Sequence, residues 1–135
     1  WVEMNLGIVV ADFHKEISKE MLDAAKNAAK ENGLVVKEIS YVSGAFDVPL
    51  PLKRLLARTD IHACVVLGAV VQGETSHDEA VAYTAASKIS DLSLKFDKPV
   101  GYGISGPRMT VEQAQKRAKE FAIRAVETVV RMLEN

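Results

Sequence analysis

Apolar and polar residues alternate along this chain in blocks of two kinds. Short apolar or β-branched runs lie at 6–11, 35–42, 63–67 and 100–105, the third keeping its apolar character as far as Val71. The first, Leu6-Gly7-Ile8-Val9-Val10-Ala11, has no polar member, as expected of a strand buried on both faces. The fourth carries Gly101 and Gly103, residues that weaken a strand. Each run is followed by a stretch in which apolar residues return every three or four positions. From about Glu16, the residues Ile17, Met21, Leu22, Ala25, Ala28 and Ala29 define a helix that Asn32-Gly33 ends. Asp47 reads as the N-cap of a second, short helix running to about Ala57, with Pro49 and Pro51 in its first turn. Ser76-His77-Asp78-Glu79 matches the S-x-x-E capping box, and the helix it opens continues past Ala80, Val81, Ala85, Ile89 and Leu92 toward Phe96 until Lys98-Pro99 breaks it. Thr110-Val111-Glu112-Gln113 is a second such box, opening a long helix through Ala114, Ala118, Ala122, Ala125, Val129 and Leu133.

The order is βαβαβαβα within one domain, residues 1–135. This alternation predicts an α/β three-layer sandwich, a four-stranded parallel sheet flanked by helices on both faces, of flavodoxin-like topology. Right-handed crossovers place every strand-to-helix loop along one sheet edge, and ligands bind outside the carboxyl ends of such strands. Four loops are selected on that ground: 12–14, 43–47, 72–77 and 106–110.

Composition narrows the partners. Over 135 residues the formal net charge is −1 and no basic run occurs, so neither nucleic acid nor an anionic membrane surface is an expected partner. The longest apolar runs are strand-length, well short of the roughly 20 residues that cross a bilayer, and no secretory-leader pattern opens the residues given. Cys64 is the single cysteine and lies inside an apolar run, which reads as a buried small hydrophobe rather than a nucleophile. One cysteine excludes an intrachain disulfide and fits a reducing, cytoplasmic location. His14 and His62 have no partner at metal-ligand spacing, and His77-Asp78-Glu79 is not H-E-x-x-H, so no metal and no cofactor are expected.

The third loop holds the candidate chemistry. With Ser76 as N-cap, His77 takes the first helical position, where free backbone N–H groups and the positive end of the helix dipole form an anion site suited to phosphate. That environment favours the neutral imidazole, able to accept a proton; a bound phosphate dianion would oppose it. Gly73 admits close backbone approach, and Thr75 and Ser76 offer hydroxyls. A tolerated polar residue in a first turn is an equal reading of His77 from this loop alone. Phe13 and Phe46 read either as platforms for a flat ligand or as lids over the core. Asp47 is first a helix cap and second an acceptor for ligand hydroxyls. Arg117, two turns into the last helix, reads by default as a solvated surface arginine.

Taken together, these residues resemble the lumazine synthase family, with archaeal-like features. Ser43-Gly44-Ala45-Phe46-Asp47-Val48-Pro49 is similar to the family's P-G-A-F-E-[IL]-P. Gly68-Ala69-Val70-Val71-Gln72-Gly73-Glu74-Thr75-Ser76-His77 is similar to G-x-V-I-x-G-x-T-x-H, and Gln113-Ala114-Gln115-Lys116-Arg117-Ala118 to E-Q-A-x-x-R-A. The stretch 104–110 resembles archaeal members. The resemblance spans nearly the whole chain and implies a transferase of riboflavin biosynthesis. It would join 5-amino-6-(D-ribitylamino)uracil to 3,4-dihydroxy-2-butanone 4-phosphate, giving 6,7-dimethyl-8-ribityllumazine with loss of phosphate and water. It implies Phe13 stacked on the pyrimidine; Ala45, Phe46 and Asp47 on the ribityl chain; and Val70 and Val71 at the pyrimidine edge. Gly73, Glu74, Thr75, Ser76 and Arg117 would hold phosphate, with His77 as proton shuttle. Tyr102 stands where the family has a Phe supplied by a neighbouring subunit. The family's sites lie between subunits of a pentamer, and some members build larger shells. His14 replaces the usual Asn and Asp47 the commoner Glu; beyond Arg117 the family's Gly-x-Lys turn is missing, so Arg124 is a candidate for a second basic contact and not an assignment.

Three rivals differ in named residues. A riboflavin synthase paralogue of the archaeal type should lack the Gly-x-Thr-x-His loop present here. A non-enzymatic, phosphate-binding receiver-like module needs an acid cluster after the first strand and a Lys-Pro after a later one. Here Asp12 is alone and Lys98-Pro99 precedes its strand. A flavin carrier needs a Ser/Thr-Gly-rich loop where Asp12-Phe13-His14-Lys15 stands.

Overall fold

The structure, a computed structural model, describes residues 3–73 and 77–135. Strands β1 (Met4–Ala11), β2 (Leu34–Val42), β3 (Ala63–Ala69) and β4 (Val100–Ser105) alternate with helices α1 (Lys15–Glu31), α2 (Pro49–Leu56), α3 (His77–Phe96) and α4 (Val111–Glu134). Every strand pairing is parallel and the sheet order is β2-β1-β3-β4. This is the expected four-stranded parallel sheet with helices on both faces.

Successive side chains of a strand point to opposite faces, and that alternation divides the core in two. Leu6, Ile8 and Val10 of β1, with Ala63, Val65 and Leu67 of β3, pack toward α1 and α4. Val9 and Ala11, with Cys64 and Val66, pack toward α2 and α3. Leu6, Ile8 and Leu67 are fully buried, each contributing about 1.5–3 kcal/mol relative to exposure. The all-apolar run 6–11 of β1 is thus explained by its central place in the sheet.

The glycines of β4 have a packing reason. A Cβ on Gly101 would lie 2.1 Å from the Ala125 carbonyl oxygen, so α4 rests directly on the strand backbone. The buried alanines of α4, at 114, 118, 122 and 125, are the other half of that close approach. The Thr110–Gln113 capping box forms in both directions: Thr110 Oγ1 accepts the Gln113 N–H at 3.1 Å, and Gln113 Oε1 accepts the Thr110 N–H at 2.9 Å. The other box, Ser76 to Glu79, includes Ser76, which lies outside the described residues.

Two local expectations are corrected. Asp47 does not cap α2. It closes a 3-10 turn, Ala45–Asp47, and its carboxylate accepts the Gly44 N–H at 3.1 Å. Val48 precedes α2 with no side-chain cap, and Pro49, lacking an N–H, leaves one fewer donor to satisfy there. The third strand runs past the expected 63–67 to Ala69, short of Val71; its last pair is Ala69 with Ser105, and Gly106 follows at φ 101°.

Lys98 donates to the carbonyls of Leu56 and Arg58, both at 2.8 Å, closing the C-terminal end of α2. It therefore has a structural task ahead of β4, unlike the lysine a receiver module requires. Burial pushes the Cys64 thiol up to about 12. The thiolate is the reactive form, so native protein at pH 8 should leave a maleimide reagent unconsumed over minutes. The same protein in guanidinium should titrate one thiol; fast native labelling would contradict the burial.

Candidate active site

β1 and β3 are neighbours, yet the chain leaves them toward opposite faces, β1 into α1 and β3 into α3. Their carboxyl ends therefore part around a crevice, the usual ligand position in such sheets. The crevice here is a cleft of about 300 Å³ lined by Phe13, His14, Gly44, Ala45, Phe46, Ala69, Val70, Val71, Gly73, His77, Asp78 and Val81. Three of the four selected loops meet in it. The fourth, 106–110, contributes no lining residue but supports the wall from behind. Val70 N–H donates to the Ser105 carbonyl at 2.8 Å and Gln72 N–H to the Met109 carbonyl at 2.7 Å.

The lining is chiefly apolar with a few polar groups, as suits a flat organic ligand. Phe13 is 75% exposed and Phe46 64% exposed, so neither is a lid over the core; both line the cleft. His14 meets the Phe13 ring edge-on, centroids 5.0 Å apart, which props that ring. Ala45 is buried in the 3-10 turn, and the exposed Asp47 stands one residue beyond the cleft-lining Phe46. His77 is the first residue of α3 and lines the cleft from an exposed position, at the helix end where backbone donors gather.

Other expected residues lie elsewhere. Arg117 is exposed on α4 and does not line the cleft. Tyr102, on the edge strand β4, is also outside it, and burial pushes its phenol up. Arg124 pairs with Glu120 of its own helix at 3.1 Å. Glu74, Thr75 and Ser76 fall outside the described residues. Among the described residues no three His, Cys, Asp or Glu side chains gather as metal ligands, and no helix is long and apolar enough to cross a membrane.

One residue was not singled out from sequence. Asp78 is only 7% exposed, lines the cleft, and accepts the Arg108 N–H at 3.0 Å. The signal was available: 78, 82, 85 and 89 share the buried face of α3, and an acid on such a face demands a partner.

An α/β sheet protein with an aromatic, histidine-bearing ligand cleft at its switch point is the class that this fold and site define. Within it, the chain belongs to the 6,7-dimethyl-8-ribityllumazine synthase family, whose model matches residues 3–135. A protein named 6,7-dimethyl-8-ribityllumazine synthase from Metallosphaera sedula is 50% identical over 129 residues, covering 96% of this chain and 85% of its own length. Proteins of the same name from Methanocaldococcus jannaschii and Methanopyrus kandleri are each 47% identical over 131 residues, covering 97% of this chain and 92% of theirs.

Proposed function

We propose that this chain is the enzyme that condenses 5-amino-6-(D-ribitylamino)uracil with 3,4-dihydroxy-2-butanone 4-phosphate in riboflavin biosynthesis. The product is 6,7-dimethyl-8-ribityllumazine, released with phosphate and water. The observation that carries the reading is the meeting of Phe13, Phe46 and His77 in one cleft of a lumazine synthase family member. The ring amine forms an imine with the ketone and expels water. Phosphate then leaves by elimination, and the ribitylamino nitrogen closes the second ring with loss of another water.

Phe13 stacks on the pyrimidine, which is typically worth about 1 kcal/mol beyond area burial. Ala45, Phe46 and Asp47 hold the ribityl chain, and Val70 and Val71 bound the pyrimidine edge. The Val70 N–H already donates to Ser105, so its contact with the ring uses other atoms. Gly73, Glu74, Thr75 and Ser76 receive the phosphate beside the start of α3, and His77 moves protons between the reacting nitrogens, carbon and oxygen. Arg117 and Tyr102 stand outside the cleft of one subunit, which supports a site completed by self-association into pentamers. Gel filtration with mass measurement tests that assembly and would also reveal larger shells.

The functional test is direct. Purified protein given both substrates should form the fluorescent lumazine, and omission of either substrate should abolish it. No product from both would defeat the proposal. Arg117→Ala should raise KM for the butanone phosphate by about tenfold or more, the worth of a charge-assisted contact, with pyrimidine affinity little changed. Equal loss for both substrates would remove Arg117 from the phosphate site.

A further inference from the structure

Asp78 has no part in the mechanism above, yet it is a buried carboxylate in the wall of the cleft, next to His77. Its Oδ2 accepts the backbone N–H of Arg108 at 3.0 Å. That amide belongs to a residue at φ 60°, a left-handed conformation rare for a side-chain-bearing residue and kept only where surroundings impose it. Arg108 Nε also donates to Glu79 Oε1 at 2.7 Å, from the exposed side. The first turn of α3 is thus tied to the segment 106–110 through two adjacent acids.

The same segment is tied to the other wall. The Met109 carbonyl accepts the Gln72 N–H, and the carbonyl of Ser105, the last residue of β4 just before the segment, accepts the Val70 N–H. Gly106 lies so close to Val70 that a Cβ there would be 2.0 Å from its carbonyl oxygen. The 106–110 segment therefore bridges the two flanks of the cleft, Val70–Gln72 on one side and the His77 turn on the other. On the His77 side the bridge ends on one buried carboxylate. A charged acceptor holding a backbone donor in a low-dielectric site makes a short, directional bond, suited to fixing a distance.

We propose that Asp78 is a positioning residue of the condensation: its bond to the Arg108 amide sets the spacing of the His77 imidazole from the Val70–Val71 edge. The inference rests on the proposed activity and adds a residue to it. Asp78 touches no reacting atom; it acts through the bridge. Displacement of a catalytic group by about 1 Å can slow a reaction by roughly a hundredfold without weakening ground-state binding. The expected signature is therefore a loss in kcat at nearly constant KM.

The test compares Asp78→Ala, which removes the acceptor, with Asp78→Asn, which keeps an oxygen able to accept the Arg108 N–H. Turnover per folded molecule and both KM values are measured, together with hydrogen exchange at the Arg108 amide. Asp78→Ala should lose at least about tenfold in kcat, with KM for the pyrimidine within about threefold and the Arg108 amide deprotected. Asp78→Asn should recover most of the rate and the protection. If Asp78→Ala does not fold, Asp78→Glu, which pushes the carboxylate outward by one methylene, should show the same kcat loss. Full kcat in Asp78→Ala, or equal damage in Asp78→Asn, would overturn the positioning role. An inactive wild-type protein would instead overturn the activity on which it rests, so the two failures are told apart.

Discussion

Replacing His77 with alanine should lower turnover by about 10²–10⁴-fold, the usual worth of a positioned proton donor and acceptor. Pyrimidine affinity should stay within about threefold of wild type, because stacking and apolar contact supply ground-state binding. The expectation follows from where the residue stands. His77 opens α3 and lines the cleft; on the proposed reading the amides of that helix end would attract the phosphate leaving group and put the imidazole near the bonds that make and break. Imine formation, elimination and ring closure each move a proton, and one group placed at that end can serve all three. The remaining rate would come from holding two substrates together, an effect large enough to leave measurable catalysis. The measurement is steady-state fluorescence of the lumazine, with pyrimidine binding followed separately by calorimetry. Unchanged turnover would remove His77 from the mechanism; a collapse of pyrimidine affinity would make it a binding residue.

Gly101→Ala should destabilise the fold by about 3 kcal/mol or more, at the upper end for overpacking. Overpacking is mild when a flexible side chain can yield. Here the new Cβ would fall 2.1 Å from the Ala125 carbonyl oxygen and 2.7 Å from its carbon, both backbone atoms of a long helix. Relief requires lifting α4 from the sheet, and α4 supplies Ala114, Ala118, Ala122, Val126 and Val129 to the core it shares with α1. For a chain of this length the loss should lower Tm by roughly 10 °C, read by calorimetry or circular dichroism. Gly33→Ala is a useful contrast. Nothing lies within 4 Å of a Cβ there, and only its φ of 74° opposes the change, so the penalty should be about 1 kcal/mol. A Gly101→Ala protein as stable as wild type would show that α4 does not rest on β4 as described.

Much of this arrangement could be read from spacing. The apolar run of β1 announced a central strand because no face of it is left for water. The 3/4 spacing of α1 and α4 announced one buried stripe each, and both helices occur within a residue or two of the expected bounds. The Thr110 box formed because its two bonds are local, three residues apart. Asp47 shows the limit of local reasoning. A good capping residue stood before two prolines, yet the chain made a 3-10 turn first and the carboxylate turned back to Gly44. Nothing in the five residues around it distinguishes those outcomes.

The candidate site divides the same way. The loops that carry His77, Phe13 and Phe46 were legible because loops after parallel strands share one sheet edge, whatever the family; the roles of those residues came from the resemblance. Asp78 was not singled out, since its partner is the Arg108 amide, 30 positions away. Arg117 and Tyr102 were expected at the site by resemblance, and neither lines the cleft.

The sequence by itself determined the alternation of strands and helices, the faces they bury and the edge on which the candidate site lies, because periodicity and loop position are properties of neighbouring residues. Only the tertiary structure decided which loops close on one another. It selected the β1–β3 gap as the cleft, set α4 against the glycines of β4, and gave Asp78 its partner. Those outcomes depend on strand order and on contacts between distant segments, which no local pattern encodes.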